Sequence, residues 1–288
     1  MSVVIPVLDE AQSAPALVEA LHQQAAVSLE VIVADGGSRD DGANACQRAG
    51  ARIIDAPRGR ARQMNAAVAV ARGDWLLCLH ADSGLVGPLQ LRRALDAVHA
   101  EIGRLGHSRV AGHFPLRFRR DTAGHARLFR FIEAKSGSNR PGTINGDQGL
   151  LIRRDFFEAL GGFDTRLPYL EDTRMARRIF AQGRWLLLPD ALETSARRFE
   201  TGGHYRVYAL MALIQIMNEA GVDGFFEQAA GLYATQTELR RIDLRPYLNV
   251  AARALVAHPQ RLALMRRIAA NLAGNAWQAG LLISVLRS

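Results

Sequence analysis

Up to about residue 200, short unbroken apolar runs alternate with stretches whose apolar positions recur every three or four residues. The runs predict buried strands over 3–7, 29–34, 51–56 and 75–80. Between them, Leu17, Val18 and Leu21 give 14–24 one helical face, and helices are also predicted over 41–49 and 62–71. Strands that alternate with helices predict an α/β fold, a mostly parallel sheet flanked by helices.

Beyond Gly87-Pro88 the pattern predicts a charged amphipathic helix to about residue 102 and extended chain over 110–118. A strand over 148–153 follows, then a short helix over 155–160 ended by Gly161-Gly162, a helix over 171–181 and a buried strand over 185–188. From about residue 203 the rhythm changes. An apolar helix over 205–218 opens a region that reads as helical to its end, with no further strand signal. The chain is therefore expected to divide into an α/β domain over 1–202 and a helical C-terminal extension over 203–288.

Residues 268–286 carry no charge, which raises the question of a membrane span. A span needs about 20 predominantly apolar residues. Asn271, Gly274, Asn275, Gln278 and Gly280 interrupt this one. A packed helix pair is the first reading, and peripheral membrane contact through the basic C-terminal helices is the second.

Composition adds a net charge of +8, carried by arginine, since Lys135 is the one lysine. Codon usage in a GC-rich genome accounts for this; an anionic partner such as a nucleoside diphosphate or a phospholipid surface is the functional alternative. No nucleic-acid motif accompanies the charge, so nucleic acid is not expected as a partner. Cys46 and Cys78 stand far apart in no metal or redox spacing and read as small core residues of a reducing compartment. A strand-like VVIP at the very start leaves no room for a signal peptide, so the expected location is cytoplasmic, with the inner membrane face as a second possibility.

The candidate chemistry lies at strand ends. The run WLLCLHAD, Trp75 to Asp82, delivers a carboxylate to a strand's C-terminal edge, where ligands of open α/β sheets bind. Asp35 ends the second strand in ADGGS, which serves equally as a tight turn with Ser38 capping the next helix. Asp9 and Glu10 end the first, where acids also favour a following helix N-terminus. Parallel strands point these ends one way, so the acids should converge on one rim, where they repel unless a cation or donor-rich ligand offsets them. Between them, Arg58, Arg60 and Arg62 surround Gly59 at a helix start, an arrangement suited to a polyphosphate or to a solvated loop. Later, Asn145-Gly146-Asp147-Gln148-Gly149 precedes an apolar strand, and Glu171-Asp172 opens a helix. That pair serves either the helix dipole or proton abstraction from a hydroxyl.

Together these segments resemble the family 2 glycosyltransferases, whose fold is the GT-A nucleotide-diphospho-sugar-binding fold. The likeness rests on the order and spacing of VVIPVLDE, EVIVADGGSRDDG, GRARQMNAAVAVARGDWLLCLHADS, GDQGLLIRRDFFEALGGFD and YLEDTRMARRI, from about residue 2 to 200. A narrower likeness, through HAD, GDQG, the ED pair and SARRFE, is to bacterial members found beside radical-SAM and selenium-related genes. The resemblance implies that Pro6, Asp9, Glu10 and Asp35 line the nucleotide pocket. Arg62, Asn65 and Asp147 would also meet the UDP- or GDP-sugar donor. Asp82 matches the last acid of the family's Asp-x-Asp and would bind Mg²⁺ or Mn²⁺. His80 stands where the family has the first acid and is a further metal candidate. Asp172 would be the base that activates an unidentified acceptor hydroxyl in an inverting transfer, with Glu171 positioning it.

Three rival classes are considered. A sugar nucleotidyltransferase would carry a Gly-rich, Lys-containing loop after the first strand, where this chain has LDEAQSAP. A Rossmann dehydrogenase would carry G-x-G-x-x-G there. A non-catalytic nucleotide-sugar-binding or membrane-docked module would lack donor turnover.

Overall fold

The structure, a computed structural model, describes residues 1–166, 169–236 and 241–287. Its first half runs β1 (Ser2–Val7), α1 (Ala14–His22), β2 (Glu30–Asp35), α2 (Gly42–Arg48), β3 (Arg52–Asp55), α3 (Arg60–Val70), β4 (Trp75–Cys78) and α4 (Gln90–Leu105). There follow β5 (Val110–His113), β6 (Leu116–Arg119), α5 (Ala126–Ser136), a 3₁₀ turn (Gly146–Gln148), β7 (Leu150–Arg153), α6 (Arg154–Ala159), α7 (Glu171–Gln182), β8 (Arg184–Leu187) and β9 (Leu192–Ser195). Helices α8 (Arg197–Gly202), α9 (His204–Ala220), α10 (Asp223–Gln236), α11 (Arg245–Ala257), α12 (Arg261–Gly274) and α13 (Trp277–Arg287) complete the described chain.

Seven strands form one sheet in the order β3-β2-β1-β4-β7-β5-β8. The β1–β2, β1–β4, β2–β3 and β5–β8 pairs are parallel, while β7 runs antiparallel to both β4 and β5. All six residues of β1 are buried because the sheet is covered on both faces. Alternation sends Val3, Ile5 and Val7 toward Leu17, Leu21, Leu91 and Val98 of α1 and α4. Val4 faces the other way, into a core with Met64 of α3, Phe156 of α6 and Ile179 of α7. The reversal of β7 places its beginning beside the end of β4, with Leu150 opposite Cys78. The turn that leads into β7 therefore stands on the rim formed by the parallel strands' C-terminal ends.

Three features differ from the pattern-based expectation. The extended stretch 110–118 is two strands, β5 in the large sheet and β6 in a second sheet with β9. Pro115, which has no N–H to donate to a ladder, separates them. Strand β9 carries no clear periodic signal, and helix α5 lies outside the predicted elements although Leu128, Phe129, Phe131 and Ile132 recur at helical spacing. Strand β9 matters, since Gly84 and Glu193 exchange main-chain hydrogen bonds of 2.8 and 2.9 Å. Both cysteines are buried, and burial pushes the Cys78 thiol up to about 12 and the Cys46 thiol up to about 11, as core residues should show.

The chain forms two compact units, Met1–Arg119 with Ser136–Ser195, and Arg120–Lys135 with Ala196–Ser288. The first holds the sheet. The second has its own buried side chains, among them Phe129, Val207, Phe225 and Leu264. The uncharged segment 268–286 divides between α12 and α13. No helix among the described residues is long and apolar enough to cross a membrane.

Candidate active site

The ends of β1 and β2 are sewn together by their own acids. Asp35 accepts hydrogen bonds from the main-chain N–H groups of Gly37 and Ser38, at 3.2 and 3.1 Å, and from the Ser38 hydroxyl. Ser38 thus closes the turn; α2 begins later, at Gly42. Asp9, in the left-handed region at φ 55°, accepts from Arg39 N–H at 2.7 Å and donates its own N–H to Ser38 Oγ. Asp40 accepts from Ala11 N–H at 2.8 Å, and Glu10 accepts from the Ser13 hydroxyl at 2.7 Å. Beneath them Gln63, buried on α3, donates to the carbonyls of Val7 and Ala34 at 2.8 and 2.9 Å. Pro6 lies in register with Ala34 at the same edge.

At the end of β4 and the turn before β7 the acids are arranged differently. His80 Nδ1 stands 2.7 Å from Asp147 Oδ1. The carboxylate can only accept, so Nδ1 carries the proton and Nε2 is left for another partner. Asp172 Oδ2 accepts the main-chain N–H of Gly146 at 2.6 Å, and Oδ1 accepts that of Thr173 at 2.6 Å. A Cβ on Gly146 would stand 2.5 Å from His80 Nε2 and 3.1 Å from Asp172 Oδ2. Only glycine lets the imidazole and the carboxylate approach the same point. Asp82 is half-buried; Arg119 donates to its main-chain carbonyl at 2.6 Å, and no described residue donates to its carboxylate.

Glu171 is 2% exposed and is met by Arg60 at 3.2 Å. Burial, reinforced by the neighbouring Asp172 charge, pushes its carboxyl above the ordinary carboxylate range, and Arg60 pulls the other way. Beside this polar group lies a cavity of about 30 Å³ walled by Met64, Phe163 and Trp185, with His80, Gly146 and Asp172 on its polar side.

Support for the turn comes from a buried polar network. Gln148 accepts from Asn145 N–H at 2.9 Å and donates to Ser136 O and to His113 Nδ1. His113 Nε2 then faces Asn139 Oδ1 at 3.0 Å, which fixes the neutral Nε2–H tautomer. Burial lowers the His113 pKa in keeping with that assignment. On the other side, Asn65 holds the main chain of Phe163 through both ends of its amide at 2.9 Å. Arg178 donates to the carbonyls of Leu160 and Gly162, and Arg174 meets Asp164 at 2.7 Å. Hydrogen bonds from Arg166, with Arg174 adding to them, hold the Asp164 carboxyl far below the usual range.

Of the acids and polar residues singled out in the sequence, the structure brings His80, Asp147, Glu171 and Asp172 to one part of the rim, and Asp82 follows His80 by two residues in the loop after β4. Pro6, Asp9, Glu10 and Asp35 occupy the neighbouring strand ends. Arg62 is exposed on the first turn of α3 with no partner among the described residues. Asn65 is bonded to the loop after α6. Thr173 and His113 escaped selection, and Arg60, Gly146 and Gln148 entered only as parts of the basic 58–62 run and of NGDQG. The polar residues set between glycines in NGDQG are the signal that marks this turn.

A family model for glycosyl transferase family 2 matches residues 2–161. PGL/p-HBAD biosynthesis glycosyltransferases of Mycobacterium bovis and Mycobacterium tuberculosis are 34% identical to the chain over 91 residues, 29% of this chain and 36% of theirs. The chain thus spans about a third of the length of these curated relatives. Mannosyltransferase PcManGT from Pyrobaculum calidifontis, in complex with GDP-Man and Mn²⁺, superposes at a TM-score of 0.55 and 20% identity, covering 98% of this chain and 78% of its own. TarS 1-349 of S. aureus in complex with UDP superposes at 0.54 and 14% identity, covering 97% and 91%. At these identities the likeness is one of fold.

Proposed function

The chain belongs to glycosyl transferase family 2, and we propose that it is a glycosyltransferase that moves a sugar from a nucleoside-diphosphate donor to an acceptor hydroxyl with inversion at the anomeric carbon. The observation that carries this reading is the arrangement of the rim's acids. Asp82 has a carboxylate to which no described residue donates, while Asp172 is held by two main-chain N–H groups beside an apolar hollow. One acid is left for a ligand, and the other is fixed in place. The solved neighbours named above bind GDP-Man or UDP, which supports a nucleotide-linked donor.

The nucleotide is assigned to the β1–β2 end of the rim, over Pro6, Asp9, Glu10 and Asp35, with Arg62 free to meet the diphosphate. Asp147 and Asn65 act on the donor site by orienting His80 and by holding the Phe163 loop. Asp172 takes the acceptor's proton as the acceptor oxygen bonds to the anomeric carbon. On the opposite face the bond from that carbon to the diphosphate oxygen breaks, and its electron pair leaves with the diphosphate. Glu171, paired with Arg60, positions Asp172 from behind.

A divalent cation fits this rim on the chemistry of its donors. Among the described residues no three His, Cys, Asp or Glu form a cage. Mg²⁺ and Mn²⁺ are nevertheless commonly held by one or two carboxylates together with phosphate oxygens and water. Asp82 would hold the ion, with His80 two residues away as a second donor. When bound, such an ion offsets negative charge on the departing diphosphate. The HAD, GDQG, ED and SARRFE segments further support membership in the subgroup found beside radical-SAM genes.

The test is a panel of nucleotide sugars screened by thermal shift with Mn²⁺, followed by NMR of the product. At least one donor should raise the melting temperature, because a ligand of the folded state stabilises it by mass action. The product should carry the anomeric configuration opposite to the donor's. Stabilisation by none of the UDP-, GDP- or TDP-sugars, or retention of configuration, would overturn the reading.

A further inference from the structure

Helix α12 carries its apolar residues on the outside. Leu262, Met265, Ala269 and Leu272 fall at helical spacing on one face, and all four are exposed, Leu262 by 79%. On the inner side Leu264 is fully buried. In α11 the exposed residues Leu248, Ala252 and Val256 recur every fourth position, and α13 exposes Leu282, Ile283 and Leu286. Among the described residues, every large apolar side chain classed as exposed lies in these three helices except Val86, Leu89 and Tyr205. Scattered exposed leucines need no explanation, but stripes at helical spacing on successive helices do.

Charge identifies what covers them. After Asp243 the chain has no acidic residue and six arginines, Arg245, Arg253, Arg261, Arg266, Arg267 and Arg287. By helical spacing Arg261 and Arg266 border the apolar stripe of α12 on either side, and both are exposed. Apolar side chains flanked by guanidinium groups match a bilayer surface, whose acyl boundary takes the first and whose anionic headgroups take the second. A second copy of this chain fits poorly, because a two-fold contact would set these arginines against their own equivalents with no acid between them. Nor do these helices span: none is long and apolar enough.

We propose that helices α11–α13 dock the protein on the surface of an anionic phospholipid bilayer, with the Leu262–Leu272 face of α12 seated at the headgroup–acyl boundary. This holds whatever the catalytic site transfers.

The experiment sediments the full chain with vesicles of phosphatidylglycerol and phosphatidylcholine, or of phosphatidylcholine alone. Partition into the anionic vesicles should exceed partition into neutral ones by about tenfold or more, and should fall as salt is raised. A triple variant, Leu262→Glu, Met265→Glu and Leu272→Glu, should lose about tenfold or more in partition while keeping the parent's circular dichroism and melting temperature. Arg261→Glu with Arg266→Glu should abolish the preference for anionic vesicles. No partition into anionic vesicles, or equal partition by parent and triple variant, overturns the proposal. So does a dimer in light scattering that the triple variant dissolves, which would assign the face to a second copy.

Discussion

The two halves of the rim use the same residue type to opposite ends. At β1 and β2, Asp35 turns its carboxylate onto main-chain N–H groups of its own loop, while Asp9 and Asp40 turn theirs onto those of the neighbouring strand's loop, and the acids build the backbone. At β4 and the turn into β7 the backbone builds around the acids. Gly146 offers its N–H to Asp172, Asp147 orients His80, and the Asp82 carboxylate has no donor among the described residues. An aspartate at a strand end is therefore not by itself a ligand site. What sets Asp82 apart from the acids at β1 and β2 is that no described residue donates to its carboxylate, whose lone pairs are left for a ligand.

Four substitutions sharpen or break that contrast. The largest effect is expected for Asp172→Asn, which keeps shape but removes the proposed base. Transfer should fall by roughly 10²–10⁴-fold with donor binding retained in thermal shift, and full activity would show that the fixed acid is not the base. Next, Gly146→Ala forces a methyl against the His80 ring and the Asp172 carboxylate. Overpacking of this kind costs roughly 1–3 kcal/mol, read as a lower denaturation midpoint together with lost activity. Asp35→Ala should cost about 0.5–2 kcal/mol, as lost capping contacts do. Asp82→Asn should stay within roughly 0.5 kcal/mol of the parent while losing stabilisation by donor and Mn²⁺. If Asp82→Asn destabilised as much as Asp35→Ala, the distinction between the halves would fail.

The smallest effect concerns Glu171. Its carboxyl is raised in the folded protein, so its contribution to stability is full below the unfolded carboxylate pKa and is lost as pH rises through the folded value. Glu171→Gln should therefore melt higher than the parent at neutral pH, and the difference should vanish as pH falls into the ordinary carboxylate range. A lower melting temperature at neutral pH would mean that the Arg60 pair outweighs burial.

Much of this was legible in the residues. Strands β1, β2 and β4 are apolar on both sides, which announces burial on both faces, and their terminal acids mark the rim. The ED pair and NGDQG also stood out. What stayed hidden depends on contacts distant in the chain. Strand β9, read as LETS, carries three polar residues and owes its conformation to β6 and Gly84. Buried His113 looks like any histidine until Gln148 and Asn139 are seen on its two nitrogens. Asn65 shows no sign in the sequence of its hold on Phe163, a residue 98 positions away. Pairing across such separations is a tertiary property, and no local periodicity encodes it.

The hydrogen bond from Gly146 to Asp172 has a consequence for how this protein will look to mutagenesis. Its donor is a main-chain atom that nearly every amino acid supplies, so a scan that trims side chains cannot delete it. Such a scan would record position 146 as intolerant for reasons of bulk and miss the polarity beneath. Hydrogen exchange at that one amide, compared between the parent and Asp172→Asn, would observe the contact directly.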